Sequence, residues 1–230
     1  GLTDAGERLF GRAKRLLAVN DEIWSEMTTP AFTGEVRLGM PYDLVAAYLP
    51  GVLRRFTRSH PQVEVTLVAK GSPALAAAIA SGGLDLAVVE AAELAAGAEL
   101  LATDRLVWVG ARGGEAHLRR PLPVSSIEDC AFRPVLFGAL REAALPFRIV
   151  TDAVNLDAAS ATVLADLAVV GSLASVVPEG ATVLGPEAGL PDLPSFTIGL
   201  HLPRTGGSPA AAVLAQGLRE AFTGRMRAAA

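Results

Sequence analysis

The sequence predicts an α/β protein in which two Rossmann-like half-domains of similar build follow a long N-terminal helix. Three observations support this fold class. Segments typical of strands and helices alternate through most of the chain, a second series of the same kind follows the first, and the first 27 residues instead show helical periodicity. With 230 residues, 51% of them hydrophobic and 19% charged, the chain can bury a large core and lacks the composition of a disordered protein.

The first predicted element is a long amphipathic helix over residues 4–27. Its apolar stripe contains residues that recur every seven positions, namely Leu2, Leu9, Leu16 and Ile23. Asp4 and Glu7 have capping-box spacing, so the helix is expected to begin near Asp4. Because the neighbouring sequence offers this stripe no obvious packing partner, we expect residues 1–30 to be a dimerisation helix that pairs with a partner helix.

The next segments predict a parallel sheet. Strands are expected at residues 36–38, 63–68 and 84–89, and helices at residues 44–58 and 73–81, the second of them ended by Gly82 and Gly83. Short connections between alternating strands and helices imply right-handed crossovers between parallel strands.

A second series follows with the same alternation. Its expected strands are residues 106–109, 134–137, 147–150 and 175–177, and its expected helix is residues 158–170. A strand at residues 197–202 and a helix at residues 208–223 complete the chain.

A ligand site is expected at the carboxyl ends of the first three strands, because ligands of open parallel sheets bind there. The candidate residues are Pro41, Tyr42, Asp43, Ser72, Pro73 and Glu90. Asp43 and Ser72 also suit helix N-caps and Pro73 suits a first helical position, so a structural role is the alternative for each. The two roles are compatible, since a helix N-terminus offers free N–H groups for either use.

Four stretches of the chain resemble LysR-type transcriptional regulators. Residues 2–7 resemble the start of that family's linker helix, and residues 34–39 resemble the first strand of its effector-binding domain. Residues 83–88 (GLDLAV) and 169–178 (VVGSLASVVP) resemble two further segments of that domain, in the same order. Together these matches cover essentially the whole chain.

The resemblance implies two subdomains of type-2 periplasmic-binding-protein architecture, with a small effector in the cleft between them. Residues 31–102 and 198–230 would form subdomain I, and residues 103–197 would form subdomain II, where Ser160 is expected to face the cleft. The resemblance further implies a homodimer or homotetramer that binds DNA through an upstream winged helix-turn-helix domain absent from this chain. A cytoplasmic location is expected because the sequence shows no signal peptide and no membrane-spanning segment.

The expected site departs from the family pattern at Asp43, where relatives often carry serine or threonine. A carboxylate there repels an anionic ligand, and Glu90 adds a second negative charge. An amine-bearing, neutral or sugar-like effector is therefore an alternative to the carboxylates that many members of the family bind.

Composition and motifs argue against several other classes of protein. The net charge of −4 argues against a general nucleic-acid binder, and we expect no cofactor, metal site or membrane-spanning segment. The single cysteine, Cys130, excludes an intramolecular disulfide and is interpreted as a small buried hydrophobe. No spacing typical of a catalytic triad is present, so an enzyme is not expected. A stand-alone solute-binding protein of the same fold is the main alternative, and the absence of a signal peptide in this sequence argues against it.

Overall fold

In the computed structural model, the described residues are 3–28, 32–153, 156–203 and 207–229. They form six helices and nine strands apart from short 3₁₀ turns, and we number these helices and strands in chain order. None of the helices in these ranges is long and apolar enough to cross a membrane.

Helix α1 (Asp4–Thr28) is the predicted N-terminal helix. Its cap differs from the expectation, because Thr3 Oγ accepts a hydrogen bond from the backbone N–H of Gly6 at 3.2 Å, so Thr3 rather than Asp4 caps the helix. Leu9 and Leu16 are 69% and 70% exposed. Leu2 and the side chain of Ile23, the other two members of the predicted stripe, lie outside what the structure describes.

The predicted parallel sheet of subdomain I is confirmed. Strand β1 (Gly34–Pro41) pairs in parallel with β2 (Val63–Lys70) and with β3 (Leu86–Ala91). Helices α2 (Tyr42–Ser59) and α3 (Ser72–Ala80) connect these strands. Gly82 ends α3 as expected, with φ of +74°, a conformation that glycine adopts without strain.

Two long strands join the two halves of the molecule. Strand β4 (Glu99–Ala111) runs antiparallel to β9 (Ser195–His201), and β9 in turn runs antiparallel to β3. The predicted subdomain boundaries, at residues 102/103 and 197/198, fall inside these two strands and stay a prediction. Helix α6 (Pro209–Ala229) follows β9.

Subdomain II contains the remaining elements: β5 (Leu122–Ile127), α4 (Arg133–Glu142), β6 (Phe147–Ala153), α5 (Leu156–Leu164), β7 (Val170–Leu173) and β8 (Ala181–Val183). Strands β7 and β8 pair antiparallel with β4, whereas β5 pairs in parallel with β6.

Three local predictions in subdomain II are wrong. Residues 134–137 form part of helix α4, because Pro134 fits the first helical turn and a short apolar run does not distinguish strand from helix. Residues 174–176 form a 3₁₀ turn instead of a strand. Helix α5 ends at Leu164, since Asp166 takes a left-handed conformation and the N–H of Leu167 bonds the carbonyl of Thr162 at 3.0 Å. Strand β5 was not predicted.

Candidate ligand-binding cleft

A cavity lies between the carboxyl ends of the subdomain I strands and the facing side of subdomain II. It encloses about 810 Å³ of empty space, counted out to its open mouth. Subdomain I contributes the β1–α2 and β2–α3 junctions and the end of β3. Subdomain II contributes residues 125–127 and 129–133, the start of α5 and strand β7. The sequence had indicated this location on the subdomain I side through the rule for parallel sheets.

Six of the seven predicted site residues line this cavity: Pro41, Tyr42, Asp43, Ser72, Glu90 and Ser160. Pro73 is not among the lining residues and is exposed on the first turn of α3.

The predicted capping roles are wrong for Asp43 and Ser72. Each strand here runs into its helix without a loop, so the N-cap positions of α2 and α3 are Pro41 and Gly71, and neither makes a side-chain capping bond. Asp43 and Ser72 therefore lie inside the first helical turn, where Ser72 is free to bond another element.

Ser72 holds the carboxyl group of Glu90 at the cavity wall. Ser72 Oγ accepts a hydrogen bond from the backbone N–H of Glu90 at 2.9 Å and donates to Glu90 Oε2 at 3.2 Å. Both residues are buried, with 2% of Ser72 and 4% of Glu90 exposed. Glu90 Oε1 is buried without a hydrogen-bond donor in the described structure. An ionised carboxylate buried in this way is costly unless a proton or a cation meets it.

Asp43 and Glu90 form an acid pair across the junction of α2 and β3. Burial and the negative charge of Asp43 hold the pKa of Glu90 well above its ordinary value. Burial also raises the pKa of Asp43. Glu90 is therefore the member of the pair that more readily holds a proton.

The charge of a third carboxylate, Asp104 on β4, raises the pKa of both members of the pair. Asp104 itself is held by the backbone N–H groups of Arg105 at 2.7 Å and Ser175 at 3.0 Å. The carboxyl groups of Asp43 and Glu90 make the subdomain I wall acidic.

The opposite wall is mostly apolar, and the polar groups set into it were not predicted apart from Ser160. Ser125 is fully buried and its Oγ has no hydrogen-bond partner in the described structure. Ser126 Oγ lies 3.5 Å from an Nη atom of Arg133, whose guanidinium lies over the ring of Phe137. Cys130 is half-buried, and burial raises the pKa of its thiol to about 12, so it is a protonated lining group and not a nucleophile.

The two subdomains touch at one end of the cavity. A Cβ atom placed on Gly71 would lie 1.4 Å from the carbonyl oxygen of Asp129. Only glycine permits this approach, since any side chain would push the facing backbone away.

Sequence reasoning missed the second wall because it did not predict strand β5 and assigned α4 to a strand. Two signals were present. Residues 122–127 (LPVSSI) are mostly apolar or hydroxyl-bearing, as in a buried strand, and Pro134 follows at a spacing suited to the first turn of a helix. Read together, they would have placed Ser125 and Ser126 at a strand end.

The cavity supplies hydroxyls and carboxyls but no metal centre. In the described ranges, no group of three or more histidine, cysteine, aspartate or glutamate side chains could hold a metal ion. Cavities between two α/β subdomains are common locations for small-molecule sites.

The family model named LysR substrate binding domain matches residues 31–223. The chain therefore belongs to the LysR family of transcriptional regulators, and the resemblance inferred from the sequence is confirmed. It is 30% identical over 219 residues to the HTH-type transcriptional regulator DgdR of Burkholderia cepacia, an alignment that covers 95% of this chain and 74% of DgdR.

Solved structures of the family have the same fold. The effector-binding domain of QuiR in complex with shikimate matches with a TM-score of 0.63 at 17% identity, over 84% of this chain and 99% of that domain. Full-length CbnR complexed with its target DNA matches with a TM-score of 0.56 at 17% identity, over 96% of this chain and 82% of CbnR. The predicted periplasmic-binding-protein-like architecture is thereby confirmed.

Proposed function

We propose that this chain is the effector-sensing and oligomerisation region of a transcriptional regulator, and that a small molecule binds in the cavity between its subdomains. One observation carries the proposal: buried polar atoms without partners, Glu90 Oε1 and Ser125 Oγ, lie on opposite walls of a single cavity. Such atoms cost stability in the empty protein, and a bound ligand would satisfy them.

Ligand binding is transmitted to DNA by a change in the relative orientation of the two subdomains. A ligand shifts that equilibrium only if it binds the closed and open arrangements with different affinity, and a ligand that touches both walls meets this condition. DNA binding is proposed to reside in an upstream winged helix-turn-helix domain, in keeping with the DNA complex of CbnR. This role places the protein in the cytoplasm and assigns it no enzymatic reaction.

Self-association is proposed to use helix α1. Its stripe of apolar side chains is uncovered in the single chain, with Leu9, Phe10, Leu16 and Leu17 each more than half exposed. A second copy of the helix would bury this stripe and form a homodimer, the unit from which a homotetramer would be built.

The test is a thermal-shift screen with metabolites of several classes, namely carboxylates, amino acids, amines, sugars and aromatic compounds. A ligand that binds the folded state raises the melting temperature by an amount that grows with its concentration relative to its Kd. Ser160 lines the cavity from α5, so Ser160→Phe should abolish the response to any hit by filling the site.

Ala161→Phe is the matched control, because Ala161 is exposed on the same helix and does not line the cavity. It should leave the response unchanged. A hit that binds Ser160→Phe as tightly as the parent protein would place the ligand elsewhere and contradict the proposal.

A further inference from the structure

We propose that Asp43 and Glu90 form a subsite for the ammonium group of a small amine-bearing ligand, so that the cavity selects amines over their neutral and anionic counterparts. The inference rests on the proposed function and adds to it the chemical class of the ligand.

The geometry of Glu90 supports the ammonium subsite. Its carboxyl is 4% exposed, and Ser72 fixes one oxygen while Oε1 remains without a donor at the cavity wall. Asp43 brings a second carboxyl to the same place from the first turn of α2. An ammonium group has three donors and no acceptor, so it can bond both carboxyls at once.

The charges around the pair favour a cation over an anion. Asp104 faces the pair from β4, and Asp129 lines the cavity from subdomain II, so a bound carboxylate would meet several carboxyl groups. The other ionisable groups of the lining are Tyr42 on α2, and Cys130 and Arg133 on the opposite wall. Burial raises the pKa of Cys130, which stays a neutral thiol. The guanidinium carbon of Arg133 lies 5.3 Å from the ring centroid of Phe137.

Binding of an ammonium group exchanges one positive charge for another. In the empty cavity the raised pKa of Glu90 keeps a proton on its carboxyl, beside the carboxyl of Asp43. The incoming R–NH₃⁺ occupies that position, the Glu90 O–H bond breaks, and the proton passes to the solvent, so that two carboxylates face one ammonium. Low pH therefore favours the proton, and affinity for the amine rises as the pH rises through the raised pKa of Glu90.

The experiment uses probes that differ only in the ammonium group. Isobutylamine is compared with isobutanol, and L-alanine is compared with L-lactate and with propionate. Each is titrated into the protein by calorimetry at neutral pH in phosphate and in MOPS, a buffer without a primary ammonium group, because the two buffers have different ionisation heats and so report any proton released.

Three variants accompany the titrations. Glu90→Gln and Asp43→Asn each replace an ionisable carboxyl with a neutral amide of almost the same shape. Glu93→Gln removes an exposed carboxylate just beyond β3 that does not line the cavity, and it serves as the control for net charge. A melting curve for each variant confirms that it is folded before it is titrated.

We expect at least one amine to bind, its alcohol or hydroxy acid to bind at least about tenfold more weakly, and proton release to accompany binding. Glu90→Gln and Asp43→Asn should each raise the Kd of that amine at least about tenfold, and Glu93→Gln should not.

Two results would overturn the inference and leave the proposed function standing: tighter binding of alcohols or carboxylates than of the matched amines in the cavity, or an unchanged Kd in Glu90→Gln. If no class of compound in these titrations or in the metabolite screen binds, the proposed function fails together with the inference.

Discussion

At the scale of single residues, the buried carboxyl of Glu90 lowers the stability of the empty fold at neutral pH. Its pKa is raised above the ordinary value of 4.5 by burial and by Asp43. Between pH 4.5 and the raised pKa of the folded protein, Glu90 holds a proton in the folded protein but not in the unfolded chain. Unfolding therefore becomes easier as the pH rises through that interval. The destabilising effect of Glu90 is absent below about pH 4.5, the pKa of Glu90 in the unfolded chain, because the carboxyl is protonated in both states there.

Glu90→Gln should accordingly raise the free energy of unfolding at neutral pH, by an amount of order 1 kcal/mol, because it removes the cost of a buried acid that titrates. Urea unfolding of the two proteins between acidic and neutral pH measures the difference. The advantage of the variant should grow with rising pH. An equal pH dependence in both proteins would show that the Glu90 carboxyl is not buried as described.

Much of the subdomain I wall was predictable residue by residue. Asp43, Ser72 and Glu90 follow strand patterns that the sequence displays clearly, and the ends of parallel strands meet at one edge of a sheet. The hydrogen bonds of Ser72 were not predictable, because its suitability as a helix cap is a local property and its bond to Glu90 joins residues 18 positions apart.

At the scale of elements, the end of helix α5 is fixed by Asp166. Its carboxylate accepts hydrogen bonds from the backbone N–H groups of Glu115 at 3.1 Å and Ala116 at 2.9 Å, and it forms an ion pair with Arg119 at 3.0 Å. These bonds and the charges nearby hold the pKa of Asp166 below its ordinary value against the effect of burial. The residue thereby ties α5 to the loop that follows β4.

Asp166→Ala should lower the free energy of unfolding by about 1–2 kcal/mol, since it removes backbone hydrogen bonds and places alanine at a positive φ. The loss should be present at neutral pH and should shrink as the pH falls through the lowered pKa, where the parent protein loses the same contribution. Chemical denaturation at neutral and acidic pH measures both effects. A loss that does not change with pH would contradict the ionic role of Asp166.

Helix α1 provides a second prediction at this scale. Leu16→Glu should weaken self-association, because it places a charge in the middle of the apolar stripe. Arg15→Glu, on the side of the helix opposite this stripe by helical periodicity, should have little effect. Sedimentation velocity at tens of micromolar, an order-of-magnitude choice for weak partners, distinguishes them. A monomeric parent protein would contradict the proposed role of α1.

The errors in the predicted elements share a physical cause. The short apolar run at residues 134–137 suits a strand as well as a helix. The packing of Leu136 and Leu140 into the core favours the helix. The long helices α1 and α2 were easier to predict, because several turns repeat the same periodicity.

At the scale of the whole molecule, the fold class and the parallel part of the sheet were predictable, whereas the two antiparallel crossings were not. Strands β4 and β9 pair residues that lie 90 or more positions apart, as Arg105 and Ser195 do, and no local pattern states which distant strand is a partner. Their pairing joins the subdomains and leaves the cavity between them.

The close approach of Gly71 to Asp129 predicts that the two subdomains must come together at this point for a ligand to bind tightly. Gly71→Ala should hold the subdomains apart and weaken ligand binding at least about tenfold, because its methyl group would overlap the carbonyl of Asp129. Gly138→Ala is the control, since a methyl group there meets no atom within 4 Å. Calorimetric titration with the best amine, with melting curves to verify folding, measures the effect. Unchanged affinity in Gly71→Ala would show that closure at this contact is not needed for binding.

The most direct test of the account is a crystal structure of this chain with the strongest-binding amine from the titrations. We predict density for the ligand between the two subdomains, with its nitrogen about 3 Å from carboxyl oxygens of both Asp43 and Glu90. A ligand bound outside this cavity, or one whose amine points away from the acid pair, would contradict it.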